Sequence, residues 1–512
     1  MNITSLSFFI FVGVAALLYY VVPVKARWVV IMTANLYFLY NSNSWLLNGI
    51  WLGCALVTYG ATVAVGNIRE KKPKGARAIT VLAVLTVLGF MLALKDISFF
   101  TGIINRVLRL TGLGGCPTPS FEAPMGISYY SLVWIGYILD VFWGTCPVEK
   151  NPLKFIAFCG YFPTYTSGPI AKYQDIHDSI VVGNKFDYKN LTFGAQRILW
   201  GMMKKLIISE RLAIVVNTIY ADTYRYPGAY VWIAMICFAF QLYTDFSGCI
   251  DIVIGTAEIF GIKLPENFDL PFLSTTLAEF WRRWHITLGG WLRDYILYPI
   301  LKSELMQKIG AKAKKRFGKK TGKKIPTWLG LIVSWFLIGF WHGGQWNYII
   351  GVGLFFGFVI ILSEMLTPLF DKLKKLLKIN TEVTSYRIFQ RVRTFLIFMT
   401  GLSFFRAYDG FTYGLVNWKN ALTVYNPWVL YDGSLNNLGL DQHDIYILIV
   451  FGLLLAGSGL LKHFTKKSVR ELIAQQNIVF RWILYLLLIY AVIIYGCYGV
   501  DFDSASFIYQ KF

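Results

Sequence analysis

Two of the five histidines stand in polar notches inside otherwise apolar sequence. His285 closes the run Glu279-Phe280-Trp281-Arg282-Arg283-Trp284-His285, ahead of Trp291-Leu292-Arg293-Asp294-Tyr295. His342 sits in Phe340-Trp341-His342-Gly343-Gly344, at the end of an apolar run that begins at residue 329. Ionisable groups at membrane depth are expensive, so each needs a reason. Proton transfer is the first chemistry to consider, because imidazole titrates near neutrality. At His342 the following glycines would let a partner backbone or a substrate approach closely. The imidazole could then take the proton of an attacking hydroxyl, or it could do no more than bond a neighbour at a lipid–water boundary. Around His285, Glu279, Arg282 and Arg283 share neighbouring faces if the stretch is helical. Trp281, Trp284 and Trp291 supply amphipathic rings of the interfacial type. Two readings stay open there: an interfacial helix with its arginines on headgroups, or a basic aromatic helix that holds an anionic or thioester substrate.

A third constellation is Gln241-Leu242-Tyr243-Thr244-Asp245-Phe246-Ser247-Gly248, with Asp251 beyond. Gln241 and Asp245 are i, i+4 and share one helical face. Carboxylates near membrane depth pair with cations or line a cavity, so a structural ion pair and a proton or ion pathway are both in view. No Walker-type phosphate loop and no GxSxG nucleophile elbow is present. No serine or cysteine nucleophile announces itself, so direct transfer assisted by a base is favoured over a covalent acyl-enzyme.

The elements that must carry these residues are membrane helices. The chain has 512 residues, of which 56% are hydrophobic and 15% charged, against roughly a quarter charged in soluble domains. Runs such as 5–22, 78–94, 445–461 and 478–495 reach the length needed to cross a bilayer. Backbone groups in lipid must be satisfied internally, so repeated long apolar runs imply a helical bundle rather than a β-barrel. The first run does not read as a cleavable signal peptide, since no basic residue precedes it. The seven cysteines have no CxxC spacing, so neither a metal site nor a disulfide framework is expected. Net charge is +21, but its placement argues against nucleic acid as a partner. Basic residues cluster at 25–27, 69–77, 302–324, 372–393 and 462–470, while 41–44 and 409–444 are neutral or acidic. That alternation follows the positive-inside rule and puts the basic segments in the cytosol, against anionic lipid headgroups, with both termini outside.

Along the chain, residues 1–110 read as scaffold helices, and 120–300 as a region richer in Gly, Pro, aromatic and charged residues. Residues 301–326 read as a basic cytosolic loop, and 327–512 as hydrophobic helices interrupted by an extracytoplasmic segment. Phe162-Pro163-Thr164-Tyr165-Thr166-Ser167-Gly168-Pro169 breaks an apolar run after about ten residues, a length that suits a re-entrant element. Lys204-Lys205 and Glu210-Arg211 interrupt 191–220 in a similar way, so the middle of the chain is expected to line a polar cavity.

The stretch from Glu279 to Leu288, continuing to Tyr295, resembles the signature of the membrane-bound O-acyltransferases. It is nearest to their bacterial branch of alginate O-acetyltransferases and teichoic acid D-alanyl transferases. Other segments agree in order: Pro124-Met125-Gly126-Ile127-Ser128-Tyr129-Tyr130, Ser167-Gly168-Pro169-Ile170, the Gln241 to Gly248 segment and Leu264-Pro265-Glu266-Asn267-Phe268. Gly339-Phe340-Trp341-His342-Gly343 and Ser403-Phe404-Phe405-Arg406-Ala407 complete the set. The likeness spans roughly residues 1–410, with a core at 120–410, and 411–512 is less diagnostic. It implies an all-α polytopic fold of about a dozen transmembrane or re-entrant helices, ringed around a thinned centre where a funnel and a tunnel meet. It implies that His342 is catalytic and that His285 is the second histidine of the site. Arg282, Arg283, Trp341, Gln241, Tyr243, Asp245, Asn267 and Asp294 are then candidates to contact substrate or line the tunnel. The implied reaction moves an acyl group from a cytosolic thioester to an extracytoplasmic glycan hydroxyl, or to a secreted or periplasmic partner that completes transfer. The donor would be acetyl-CoA or a phosphopantetheinyl carrier protein, with no tightly bound cofactor or metal, in a bacterial plasma membrane. Chain length and the Trp281 to His285 wording favour acetyl transfer, with D-alanyl transfer and a polysaccharide-precursor transporter as alternatives. Gly343-Gly344-Gln345-Trp346 and the long basic segment depart from the common pattern and leave acceptor and partner open.

Overall fold

The computed structural model describes residues 1–407 and 410–498, and among them secondary structure is helical apart from one isolated β-bridge between Phe268 and Trp284. Among the described residues, seven helices are long and apolar enough to cross a bilayer: Trp45–Ile68, Pro73–Lys95, Ala229–Ile259, Trp346–Leu376, Thr384–Arg406, Gln442–Thr465 and Ile478–Tyr495. The bent pair Glu304–Gly322 and Ile325–Trp341 makes an eighth if taken as one span, and Leu6–Val21 and Ile127–Trp143 are shorter apolar helices. Local chemistry sets their ends. The Ser44 hydroxyl accepts from the Leu47 N–H, Asn477 accepts from the Phe480 N–H, and left-handed Gly144 stops Ile127–Trp143, all recognised caps. In Gln442–Thr465 and Ile478–Tyr495 only 6% of the apolar window is buried. Leu453, Leu487 and Ile494 turn outward there, which is favourable where lipid is the solvent.

The chain forms two compact units, each discontinuous in sequence. The first holds residues 1–210, 243–266 and the described residues from 460 on. Its helices Trp45–Ile68, Pro73–Lys95 and Ile127–Trp143 pack on one another, with Trp51 against Trp134 and Tyr130 stacked on Tyr165. The segment read as re-entrant forms two short helices, Pro152–Cys159 and Phe162–Tyr165, neither long enough to span. Helix Tyr188–Met202 meets the second half of Ala229–Ile259 through paired glycines. A Cβ on Gly194 would stand 2.6 Å from the Gly255 carbonyl, and one on Gly201 would stand 2.5 Å from that of Gly248.

The second unit holds residues 211–242 and 267–459. Helix Ile325–Trp341 lies against the π-helical turn Ile349–Leu354, which continues into Phe355–Leu376. The basic segment read as a loop is in fact largely helical, Glu304–Gly322, broken at Gly318 (φ 77°) and bent 86° from the following helix. Lys, Ala, Met and Glu are strong helix formers, so a connection between spans can be helical in its own right.

Candidate active site

His342 caps the C-terminus of Ile325–Trp341, its N–H donating to the Ile338 carbonyl at 3.2 Å. The helix stops there because Gly343 adopts φ +131°, and a Cβ at that position would press on the Tyr348 ring. Close helix packing fixes the tip, since a Cβ on Gly339 would stand 2.5 Å from the Tyr348 carbonyl and 2.7 Å from Ile349 Cα. Buried Asn347 donates from Nδ2 to the carbonyls of Phe404 (3.3 Å) and Ala407 (3.1 Å). It thereby ties the chain after His342 to the end of Thr384–Arg406. That tie places Phe405 edge-on to the His342 imidazole, 5.3 Å between ring centroids.

His285 is built differently. It adopts the left-handed conformation (φ 47°, ψ 52°) between the short helices Leu277–Arg283 and Ile286–Leu292, a state that costs a non-glycine residue about 1–2 kcal/mol. Residues 267–269 hold it there. The Ile286 N–H donates to the Asn267 carbonyl (3.1 Å) and the Asp269 N–H to the Arg283 carbonyl (3.0 Å), flanking the Phe268–Trp284 bridge. The Asn267 side-chain oxygen accepts from the Thr287 N–H at 3.0 Å and the Thr287 hydroxyl at 2.8 Å, and lies 3.3 Å from His285 Nδ1.

Trp341 joins the two histidines. Its ring centroid lies 6.0 Å from that of His285 and 5.0 Å from that of His342. The imidazoles therefore flank one indole, and both are buried, with 4% and 6% of their surface exposed. Around them Phe280 stacks on Trp284 and contacts Phe398 at 4.2 Å, while Trp281 packs on Trp335 and Phe356. The reading of 279–291 as an interfacial amphipathic helix gives way here. Leu277–Arg283 is only seven residues long, and Trp284 and Trp291 are buried in protein rather than set at a surface. Burial also holds the His285 imidazole down at about 3, so it stays neutral at physiological pH.

The other expected site residues divide. Arg282 is exposed. Arg283 pairs with Glu279 at 2.8 Å, and Asp294 pairs with Arg293 at 2.8 Å. Gln241 lies buried on Ala229–Ile259 in the second unit, whereas Tyr243 and Asp245 belong to the first. There Lys205 sits between Asp245 and Glu210, 2.6 Å from each. Lys204 binds Asp251 (2.5 Å) and the Ser247 hydroxyl (2.9 Å), and Arg197 bridges Asp251 and Glu266. The charges expected to line a cavity thus close on one another. Asn347 went unnoticed in the sequence, although one polar residue in the apolar run that resumes at Trp346 was the available signal.

The fold and these side chains define a polytopic helical membrane protein with a buried, aromatic-walled pair of imidazoles. Residues 148–312 match the model of MBOAT, the membrane-bound O-acyltransferase family. The chain is 30% identical over 368 residues to the "Probable alginate O-acetylase AlgI" of Pseudomonas fluorescens, covering 72% of this chain and 67% of the relative. It is 26% identical over 384 residues to the peptidoglycan O-acetyltransferase of Helicobacter pylori (68% and 67%). It is 30% identical over 231 residues to the teichoic acid D-alanyltransferase of Bacillus subtilis (44% and 55%). This chain belongs to the membrane-bound O-acyltransferase family and is an acyltransferase.

Proposed function

We propose that this protein transfers an acetyl group from a cytosolic thioester to a hydroxyl of an extracytoplasmic glycan, in a bacterial plasma membrane with the basic segments cytosolic and both termini outside. The observation that carries the reading is the pair of buried imidazoles on one indole, His285 and His342 on Trp341. His342 acts as general base. It takes the proton of the acceptor hydroxyl as that oxygen attacks the thioester carbonyl. The carbon–sulfur bond then breaks, and the leaving thiolate recovers the proton from the His342 imidazolium. Phe405 and Trp341 hold the ring between them. Arg282, exposed on the short helix Leu277–Arg283, is suited to the phosphates of a coenzyme A or phosphopantetheine arm, because guanidinium pairs well with phosphate. Arg283 is already committed to Glu279.

Acetyl is favoured over D-alanyl by extent of likeness. Relatives named for O-acetyl transfer align with 72% and 68% of the chain, and two named for D-alanyl transfer with 47% and 44%. The test is mass analysis of surface polymers from cells with and without the protein. The expected result is loss of an acetyl-sized ester. Loss of an alanyl-sized ester would move the protein to the other branch, and an unchanged ester content would oppose transfer altogether. A secreted or periplasmic partner that finishes the transfer would appear as acetyl ester lost from the polymer when either component is removed.

A further inference from the structure

Asn267 is fully buried, and its side-chain amide has only one orientation that suits its neighbours. The Thr287 backbone N–H points at it from 3.0 Å. A backbone N–H can only donate, so the atom it meets is the amide oxygen. The same oxygen lies 3.3 Å from His285 Nδ1. Two acceptors do not bond each other, so Nδ1 carries the hydrogen. The Thr287 hydroxyl adds a further contact at 2.8 Å, and being a rotor it does not change the assignment. Asn267 Nδ2 has no acceptor among the described residues, so the oxygen side alone anchors the amide. In a neutral imidazole one nitrogen donates and the other accepts.

We infer that Asn267 is a positioning residue that fixes His285 as the Nδ1–H tautomer, so that Nε2 meets the substrate as a hydrogen-bond acceptor and never as a donor. This rests on the reading of His285 as part of the reaction site. Its consequence is a division of labour. His285 can accept a hydrogen bond from the acceptor hydroxyl and orient it, but it cannot donate to the developing oxyanion of the thioester carbonyl. That donor must come from another group. The left-handed turn at His285 acquires a purpose as well, since it brings Nδ1 back onto a residue 18 positions earlier.

The experiment is nitrogen NMR of the full-length protein in lipid bilayers, labelled with nitrogen-15 in histidine. Only five histidines are present, and the His285 signals are identified by their loss in His285→Gln. The expected spectrum shows a protonated Nδ1 and an unprotonated Nε2. Asn267→Ala should move His285 toward the other tautomer and lower acylation of surface glycan at least tenfold. Asn267→Asp, which keeps an acceptor at the same place, should retain the Nδ1–H tautomer and recover most of the activity. An Nε2–H tautomer in the unaltered protein would overturn the inference, and that reading does not depend on any Asn267 variant folding. An unchanged tautomer in Asn267→Ala would overturn the role of Asn267. Full acylation by His285→Gln, alongside the expected spectrum, would instead remove His285 from the reaction and leave its tautomer assignment standing.

Discussion

His285 pairs a strained backbone with a neutral side chain. Burial holds its imidazole at about 3, against about 6.5 in the unfolded chain. The folded state therefore refuses a proton that the unfolded state accepts as pH falls below about 6.5. Stability contributed by the neutral ring is intact above that value and is lost toward pH 3, at up to about 1.4 kcal/mol per pH unit. Thermal unfolding of the solubilised protein should show this against His285→Gln. The variant should gain on the unaltered protein as the pH is lowered from 7.5 to 5, and parallel curves would contradict a buried neutral imidazole. Both histidines were legible in the sequence because polar residues in apolar runs stand out. The turn at His285 was not, because it depends on hydrogen bonds to residues 267–269, and nothing in local spacing records a contact made across 18 positions. Asn267 entered only through the family likeness, and chemistry alone gave no reason to prefer it to any other asparagine.

Helix contacts decide how firmly the site is held. Gly339 lets Ile325–Trp341 press against the carbonyl of Tyr348, only three residues before the catalytic candidate. Gly339→Ala would force the two segments apart, at a cost of about 1–3 kcal/mol, with a fall in acylation because His342 moves with the helix tip. Gly457→Ala, on Gln442–Thr465 with nothing within 4 Å of its added methyl, should be neutral or stabilising by about 0.5–1 kcal/mol. Melting temperatures of the pair check this, and equal losses would contradict the packing argument. Apolar run length gave most of the long helices their approximate positions. The π-helical turns Met203–Ser209, Arg293–Leu297 and Ile349–Leu354 left no such mark. The helix in the basic segment was illegible for the opposite reason: its charge drew the reading toward a loop, while its lysines and alanines are also helix formers.

For the molecule as a whole, polar residues inside an apolar chain serve two different ends. In the first unit, Arg197, Lys204 and Lys205 meet Glu210, Asp245, Asp251 and Glu266 within hydrogen-bond distance. Breaking a buried pair from one side costs about 3–5 kcal/mol, so Lys205→Met should sharply lower the melting temperature and the amount of inserted protein. A variant that inserts and melts like the parent would contradict the role of that cluster in stability. In the second unit the two histidines pack on the Trp341 indole, and the proposed function makes His342 the group that takes the proton. His342→Ala should therefore leave folding and insertion nearly intact while removing the chemistry, a loss of about 10²–10⁴-fold for a general base. The decisive measurement is the ester-linked acyl content of cell-surface glycan in cells with the unaltered protein, with His342→Ala at a matched membrane level, and with neither. The account predicts that His342→Ala falls to the level of cells lacking the protein. Acyl content equal to that of the unaltered protein would contradict it.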